Sequence, residues 1–327
     1  MTTHFAAVIT SSLRVMKLEN FAVVNFGMDL FNRMKKLGVI LDVLHVCVNP
    51  YFLQGVNVMT FRSFLMSMSQ ATRELHINVM SWRRSDGGSI LFPLRNLILV
   101  KNITELQLLV QPTNRSESED VVYILNNLGK IPLLRKFVCG GWKDYDMSIA
   151  LGTGLTYCSS LKELVIRQIV ISIHEEIISF LSGIPYGIES LHLEAIPVTD
   201  EELIELLKKL YSLRNLFLIK LSRISPYGIC KALFFLRELE TFYCSVPVSD
   251  VVVQFFTNHS NIGNLRKITL LCTSGNHDHH VKKLSESFVQ VHCSLHPSKK
   301  HWCRIVAQGR RTLWLETAKK TGFVNQY

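Results

Sequence analysis

The sequence predicts an α/β solenoid: about ten strand–helix units wound into a horseshoe, with a concave parallel β-sheet and convex helices. Three observations predict it. A short pattern, Leu-x-x-Leu-x-Leu, recurs with first positions at 13, 41, 72, 103, 134, 161, 188, 213, 239 and 265. Successive copies are only 25 to 31 residues apart. Between copies, apolar residues return at i, i+3, i+4 and i+7, the spacing of one helix face. Apolar residues two apart share one face of a strand. No strand–helix unit buries both its faces alone, so units stack into a one-dimensional core.

Each strand follows from its own residues. Upstream copies are Leu13/Met16/Leu18, Leu41/Leu44/Val46, Thr72/Leu75/Ile77, Ile103/Leu106/Leu108 and Leu134/Phe137/Cys139. Downstream copies are Leu161/Leu164/Ile166, Ile188/Leu191/Leu193, Leu213/Leu216/Leu218, Leu239/Phe242/Cys244 and Leu265/Ile268/Leu270. Helical stripes lie between them. Phe61, Phe64, Leu65 and Met68 form one, and Leu203, Leu206, Leu207 and Leu210 another. Thr199-x-x-Glu202, Ser172-x-x-Glu175 and Ser116-x-x-Glu119 read as capping boxes opening helices. Gly129 is placed just past the end of the third of these helices. Phe92–Val100 breaks the pattern and reads as an extra strand or extended outer segment in a helix's place. The solenoid is expected over residues 1–275. A basic cap follows over 276–327, with a final helix, a hairpin turning near Gly309 and a tail.

Composition narrows the function classes. The chain has 327 residues, 48% hydrophobic and 19% charged, so it has ample material for a core and is not a disordered chain. No uncharged run approaches the ~18 residues of a membrane span. The apolar run Phe5–Ile9 is shorter than the ~7–15 residues of a signal peptide. The reading is therefore intracellular: cytoplasmic, with the nucleus open. Eight scattered cysteines without a CxxC pair read as buried reduced thiols. The sequons at Asn102, Asn114 and Asn258 then carry no meaning. Net charge is +10, divided as +5 over residues 1–100, −2 over 101–280 and +7 over 281–327. The basic ends read as solvated surface, with contact to an acidic partner as the alternative.

These units resemble a known family. They look like leucine-rich repeats of the ribonuclease-inhibitor-like class. Val198-Thr-Asp-Glu-Glu-Leu203 followed by Leu213-Arg-Asn-Leu216-Phe-Leu218 resembles the repeat of F-box/leucine-rich-repeat proteins. Val248-Ser-Asp250 with Leu265-Arg-Lys-Ile268-Thr-Leu270 is a looser copy. The resemblance covers about residues 12–275 and implies a scaffold that recognises a ubiquitin-ligase substrate. That family carries an F-box ahead of its repeats, and no such segment is seen before Leu13. Contact with ligase machinery is thus expected only if an F-box lies upstream.

Residues between the core positions are expected on the concave face, at offsets +2, +4 and +6 from each first position. Val165, Arg167, His192, Glu194, Phe217, Ile219, Tyr243 and Lys267 are the candidate partner-binding residues. Apolar and aromatic groups rimmed by charge suit a protein-binding hot spot; ordinary strand surface is the alternative. Leu109, Val138, Thr269 and Leu271 are expected on the same face. Loops carrying Trp82 and Trp142 follow strands on one rim, either extending the surface or packing down on the sheet edge.

No catalytic pattern stands out. Gly152-Thr-Gly154 lacks the further Gly and Lys of a phosphate loop, and no GxSxG or HExxH occurs. Half of the twelve histidines lie between 277 and 301, but without the paired spacings of a zinc site. The expectation is a non-enzymatic protein-interaction scaffold with no cofactor, no metal and no membrane partner. Two other readings stay open: an inhibitor or innate-sensor-like repeat domain, and a binder of nucleic acid or acidic surfaces through the basic ends.

Overall fold

The computed structural model describes residues 13–18, 24–48, 58–81, 91–112, 114–142, 145–169, 174–247, 249–258, 264–273, 277–295 and 302–310. The chain divides into two compact units, Met1–Ile188 and Glu189–Tyr327.

The first unit runs β1 (Val15–Leu18), α1 (Val24–Lys36), β2 (Leu41–Val48), α2 (Val58–Gln70) and β3 (Thr72–Ser81). A 3-10 helix (Phe92–Leu99), β4 (Ile103–Val110), α3 (Arg115–Asn126) and β5 (Lys136–Gly140) follow. It ends with α4 (Tyr145–Thr156), β6 (Glu163–Arg167) and α5 (His174–Ser182). Strands β1 to β6 pair in chain order, each parallel to the next. The second unit contains β7 (Ser190–Glu194), α6 (Asp200–Lys209), β8 (Asn215–Ile219), α7 (Pro226–Leu233) and β9 (Thr241–Pro247). Then come α8 (Asp250–Asn258), β10 (Lys267–Thr273), α9 (His277–Ser287), β11 (Phe288–Leu295) and β12 (Trp302–Arg310). Strands β7 to β10 are parallel neighbours, and β12 then joins β10 antiparallel. All ten repeat strands begin at an expected first position or two residues after it. This is a leucine-rich-repeat solenoid, with strands alternating with helices.

The core is built as the periodicity requires. Leu44, Leu75, Leu106, Phe137 and Leu164 of the first unit are buried towards the helices, as are Leu191, Leu216, Phe242 and Ile268 of the second. The stripes of α2, α3 and α6 are buried against them. Thr199 and Glu202 form the expected capping box: Thr199 Oγ1 accepts from the Glu202 amide, and Glu202 Oε2 accepts from the Thr199 amide at 2.7 Å. Ser172 lies outside the described residues.

Four expectations need correction. The cap of α3 is Asn114, not Ser116: Asn114 Oδ1 accepts from the Glu117 amide at 2.9 Å. Gly129 does not end that helix in a left-handed turn; it sits in a 3-10 turn, where a Cβ would collide with the Cβ of Tyr157. Phe92–Leu99 is neither strand nor extended, but a 3-10 helix with Pro93 in its first turn. Arg95 ties this helix to α3, with Nε 2.5 Å from Asp120 Oδ1 and its guanidinium packed against the rings of Phe92 and Tyr123. The C-terminal hairpin turns between β11 and β12, not near Gly309, and it is β12 that covers the edge of β10. Thr312–Glu316 lie outside the described residues.

The glycines of Gly152-Thr-Gly154 have a packing role. A Cβ on Gly154 would collide with the carbonyl oxygen of Leu125 in α3, and one on Gly183 with that of Gly152. Neighbouring helix backbones thus approach closely where no side chain fits.

Candidate functional site

The helix-free face of the second unit carries six of the eight candidate contact residues. Strand register sets their rows. Ser190, Asn215, Thr241 and Lys267 are successive partners, as are His192, Phe217, Tyr243 and Thr269. Glu194 and Ile219 stand side by side.

The middle row is aromatic. The His192 and Phe217 rings stack with centroids 5.6 Å apart and planes 26° apart; Phe217 and Tyr243 stack at 6.4 Å and 29°. All three are half-buried. Parallel strands ~4.8 Å apart force such stacking when aromatic residues share a register position. Charge lies alongside: Glu194 Oε1 is 3.4 Å from Lys220 Nζ, and Glu194 Oε2 is 3.8 Å from His192 Nε2. Lys267 is exposed and forms no ion pair with another described residue. The face combines apolar rings, a paired carboxylate and an exposed cation.

Val165 and Arg167 belong to β6 of the first unit. Arg167 is exposed. Val165 is 7% exposed and clusters with Leu109 and Val138, so it is packed within the protein rather than standing open on the face as expected. Thr269 and Leu271 are likewise buried, at 3% and 5%. These positions alternate as expected, but lateral neighbours shield them, a burial the offset rule does not see. Trp142 is fully buried, which selects the packed-down alternative. Trp82 lies outside the described residues.

A strained residue closes successive strands. Gln168, Ala195 and Lys220 have φ of 52°, 53° and 52°, and Gly141 occupies the same place after β5 at 87°. The Ala195 amide donates to the Ile219 carbonyl at 2.8 Å, and the Lys220 amide to Ser245 Oγ at 2.6 Å. In these two turns the left-handed residue aims its amide at the next strand.

The first unit carries a polar row that uniform offsets do not predict. Between β3 and β4 the register slips, so that Leu75 faces Ile103 but His76 faces Glu105. The row becomes Lys17, His45, His76, Glu105, Lys136 and Glu163 across six strands. Its members from Lys17 to Lys136 line a cavity of about 400 Å³. Within it His76 Nδ1 is 3.1 Å from His45 Nδ1 and 3.5 Å from Glu105 Oε2. Burial lowers the pKa of His76, with Glu105 opposing that shift and His45 adding to it.

Other expected chemistry is structural. Cys139, Cys158 and Cys230 are buried thiols, and burial raises their pKa values. Asn102 donates to the carbonyls of Ser69 and Thr72, at 3.1 and 2.9 Å. In the His-rich segment, His280 Nε2 lies 3.1 Å from Asp250 Oδ1, joining α9 to the start of α8. Asp200 has the corresponding role in an earlier repeat, accepting from the Ser225 amide at 2.7 Å and from its hydroxyl. Among the described residues, no helix is long and apolar enough to cross a membrane.

No family model matches the chain, and no curated protein matches it. Solved structures show a distant likeness, two of them as follows. One is a chain of the Rad7–Elc1 complex of yeast, at 20% identity over 79% of this chain and 75% of that chain, with a TM-score of 0.42. The other was crystallised as a fructose-1,6-biphosphate aldolase candidate of Coccidioides immitis, at 9% identity over 67% and 77% of the two chains, with a TM-score of 0.22. Neither alignment is close enough to bear on activity, and the repeat architecture rests on the strands and helices themselves.

Proposed function

We propose that the protein is a non-enzymatic interaction scaffold that holds a protein partner against the helix-free sheet face of its second unit. The supporting observation is the half-exposed stack His192–Phe217–Tyr243 with Glu194 and Lys267 beside it. Aromatic anchors flanked by charge are the residue types that dominate protein interfaces. In this reading the role is like the substrate-recognition region of an F-box/leucine-rich-repeat protein inside the cell.

The test compares proteins co-purified from cells by the wild type, by Phe217→Ala/Tyr243→Ala, and by Tyr227→Ala on helix α7, where Tyr227 is exposed. The expected outcome is a set of partners lost tenfold or more in the double variant alone. Equal retention by all three forms would remove the site. Raising salt separates the alternatives: steep loss of binding supports a nucleic acid or another acidic surface, and a shallow response supports the apolar contact.

A further inference from the structure

The polar cavity of the first unit has chemistry that the partner-binding face lacks. Its walls carry His45, His76, Glu105 and Asn78, with the cations of Lys17 and Lys136 at its two ends. His45 and His76 point their Nδ1 atoms at each other, 3.1 Å apart. At least one of these nitrogens must carry a lone pair, since two N–H groups cannot face each other at that distance. Glu105 Oε2 lies 3.5 Å from the same His76 Nδ1. Asn78, two residues along β3, lines the cavity with a buried Oδ1 that has no hydrogen-bond partner.

Donor atoms each 2.0–2.1 Å from a tetrahedral zinc ion stand about 3.3 Å from one another. The Nδ1–Nδ1 separation of 3.1 Å is close to that edge length. The other side of His76 is also prepared: Glu74 Oε2 lies 3.9 Å from Nε2, and Arg135 Nη1 lies 4.0 Å from the second oxygen of Glu74. At 3.9 Å this carboxylate is an electrostatic neighbour of Nε2 rather than a hydrogen-bond partner, and its charge favours a proton on that side of the ring. Among the described residues no three His, Cys, Asp or Glu side chains are already gathered as a metal site. The imidazole pair is already formed, and the third ligand must turn in.

We propose that His45 and His76 bind one divalent transition-metal ion of the zinc class through their Nδ1 atoms, with Glu105 rotating in as the third ligand and water as the fourth. Glu105 has the freedom to do so, its side chain being 44% exposed. Binding requires His45 to carry its proton on Nε2, a change of tautomer that leaves it neutral. The register slip between β3 and β4 creates the site, because it puts Glu105 beside His76.

The test uses the full chain, freed of metal by chelation and dialysis, and Zn²⁺ as the probe. Mass-spectrometric mapping of histidine acylation in the wild type should show His45 and His76 protected by Zn²⁺. Calorimetric titration should show a site lost more than tenfold in affinity in His45→Asn/His76→Asn and kept in His279→Asn/His280→Asn, which removes the competing pair on α9. Glu105→Gln should weaken the same site about tenfold. Unprotected His45 and His76 in the wild type, or identical titrations of the wild type and His45→Asn/His76→Asn, would overturn the assignment. An unchanged affinity in Glu105→Gln would overturn the role of Glu105. The mapping needs no variant, so a variant that fails to fold does not blunt it.

Discussion

Phe217 and Tyr243 stack at 6.4 Å because they are register partners on adjacent parallel strands, and the same row continues to His192 at 5.6 Å. Stacked rings that stand on a sheet offer a partner their edges more than their faces. Edges carry the positive end of the ring quadrupole and suit aliphatic groups and carbonyl oxygens. Base stacking needs open faces, so the row favours a protein partner over a nucleic acid.

A double-mutant cycle on Phe217→Ala and Tyr243→Ala should give a coupling energy of about 1 kcal/mol in urea unfolding. Each single change should cost little beyond that, because both residues are half-buried. Losses of the size seen for a core Phe→Ala, about 3–5 kcal/mol, would place them in the core instead.

Arg95 should matter more than its exposure suggests. Its side chain is 32% exposed, but its partner Asp120 is 1% exposed. Arg95→Ala leaves a buried carboxylate without its guanidinium and should destabilise the protein by about 3 kcal/mol. Unfolding of Arg95→Ala/Asp120→Asn should recover some of that loss. A cost below ~0.5 kcal/mol would mean that solvent reaches Asp120.

Ala195 should accept glycine with a gain. At φ of 53° its Cβ strains the left-handed turn, and glycine removes that strain. Ala195→Gly should stabilise by roughly 0.5–1 kcal/mol after glycine's own entropy cost, whereas Ala195→Val should destabilise. A lowered thermal midpoint for Ala195→Gly would contradict this account of the turn.

The buried thiols predict a pH response. Burial pushes Cys158 up from 9.0 to about 12 and Cys230 from 9.0 to about 11. A raised thiol pKa in the folded state favours the neutral form. Its contribution to stability is whole below pH 9, falls as unfolded thiols ionise above 9, and is exhausted above 11 to 12. Unfolding between about pH 8 and 11 should therefore show a decline that is shallower in Cys158→Ala. Iodoacetamide at about pH 8 should label Cys158 and Cys230 far more slowly in the native chain than in urea. Equal labelling would mean that these thiols are open to solvent.

The repeat, the ten strand positions and the buried helix stripes were determined by the sequence itself. They depend on periods of two and of about three and a half residues, and such periods express the geometry of one strand or one helix. Thr199 and Glu202 were legible for the same reason, since a cap lies within one turn. What tertiary structure decided is lateral. Only strand pairing makes the slip that moves Glu105 beside His76, because register depends on hydrogen bonds to a neighbouring strand rather than on spacing along one. Only packing buries Val165 against Leu109 and Val138, although alternation placed it on the open face. Asn114 displaced Ser116 as the cap because both offer a side-chain oxygen, and the backbone path between elements chose one. The 3-10 helix at Phe92–Leu99 was hidden because Pro93 and the long-range Arg95–Asp120 pair outweigh local propensity there.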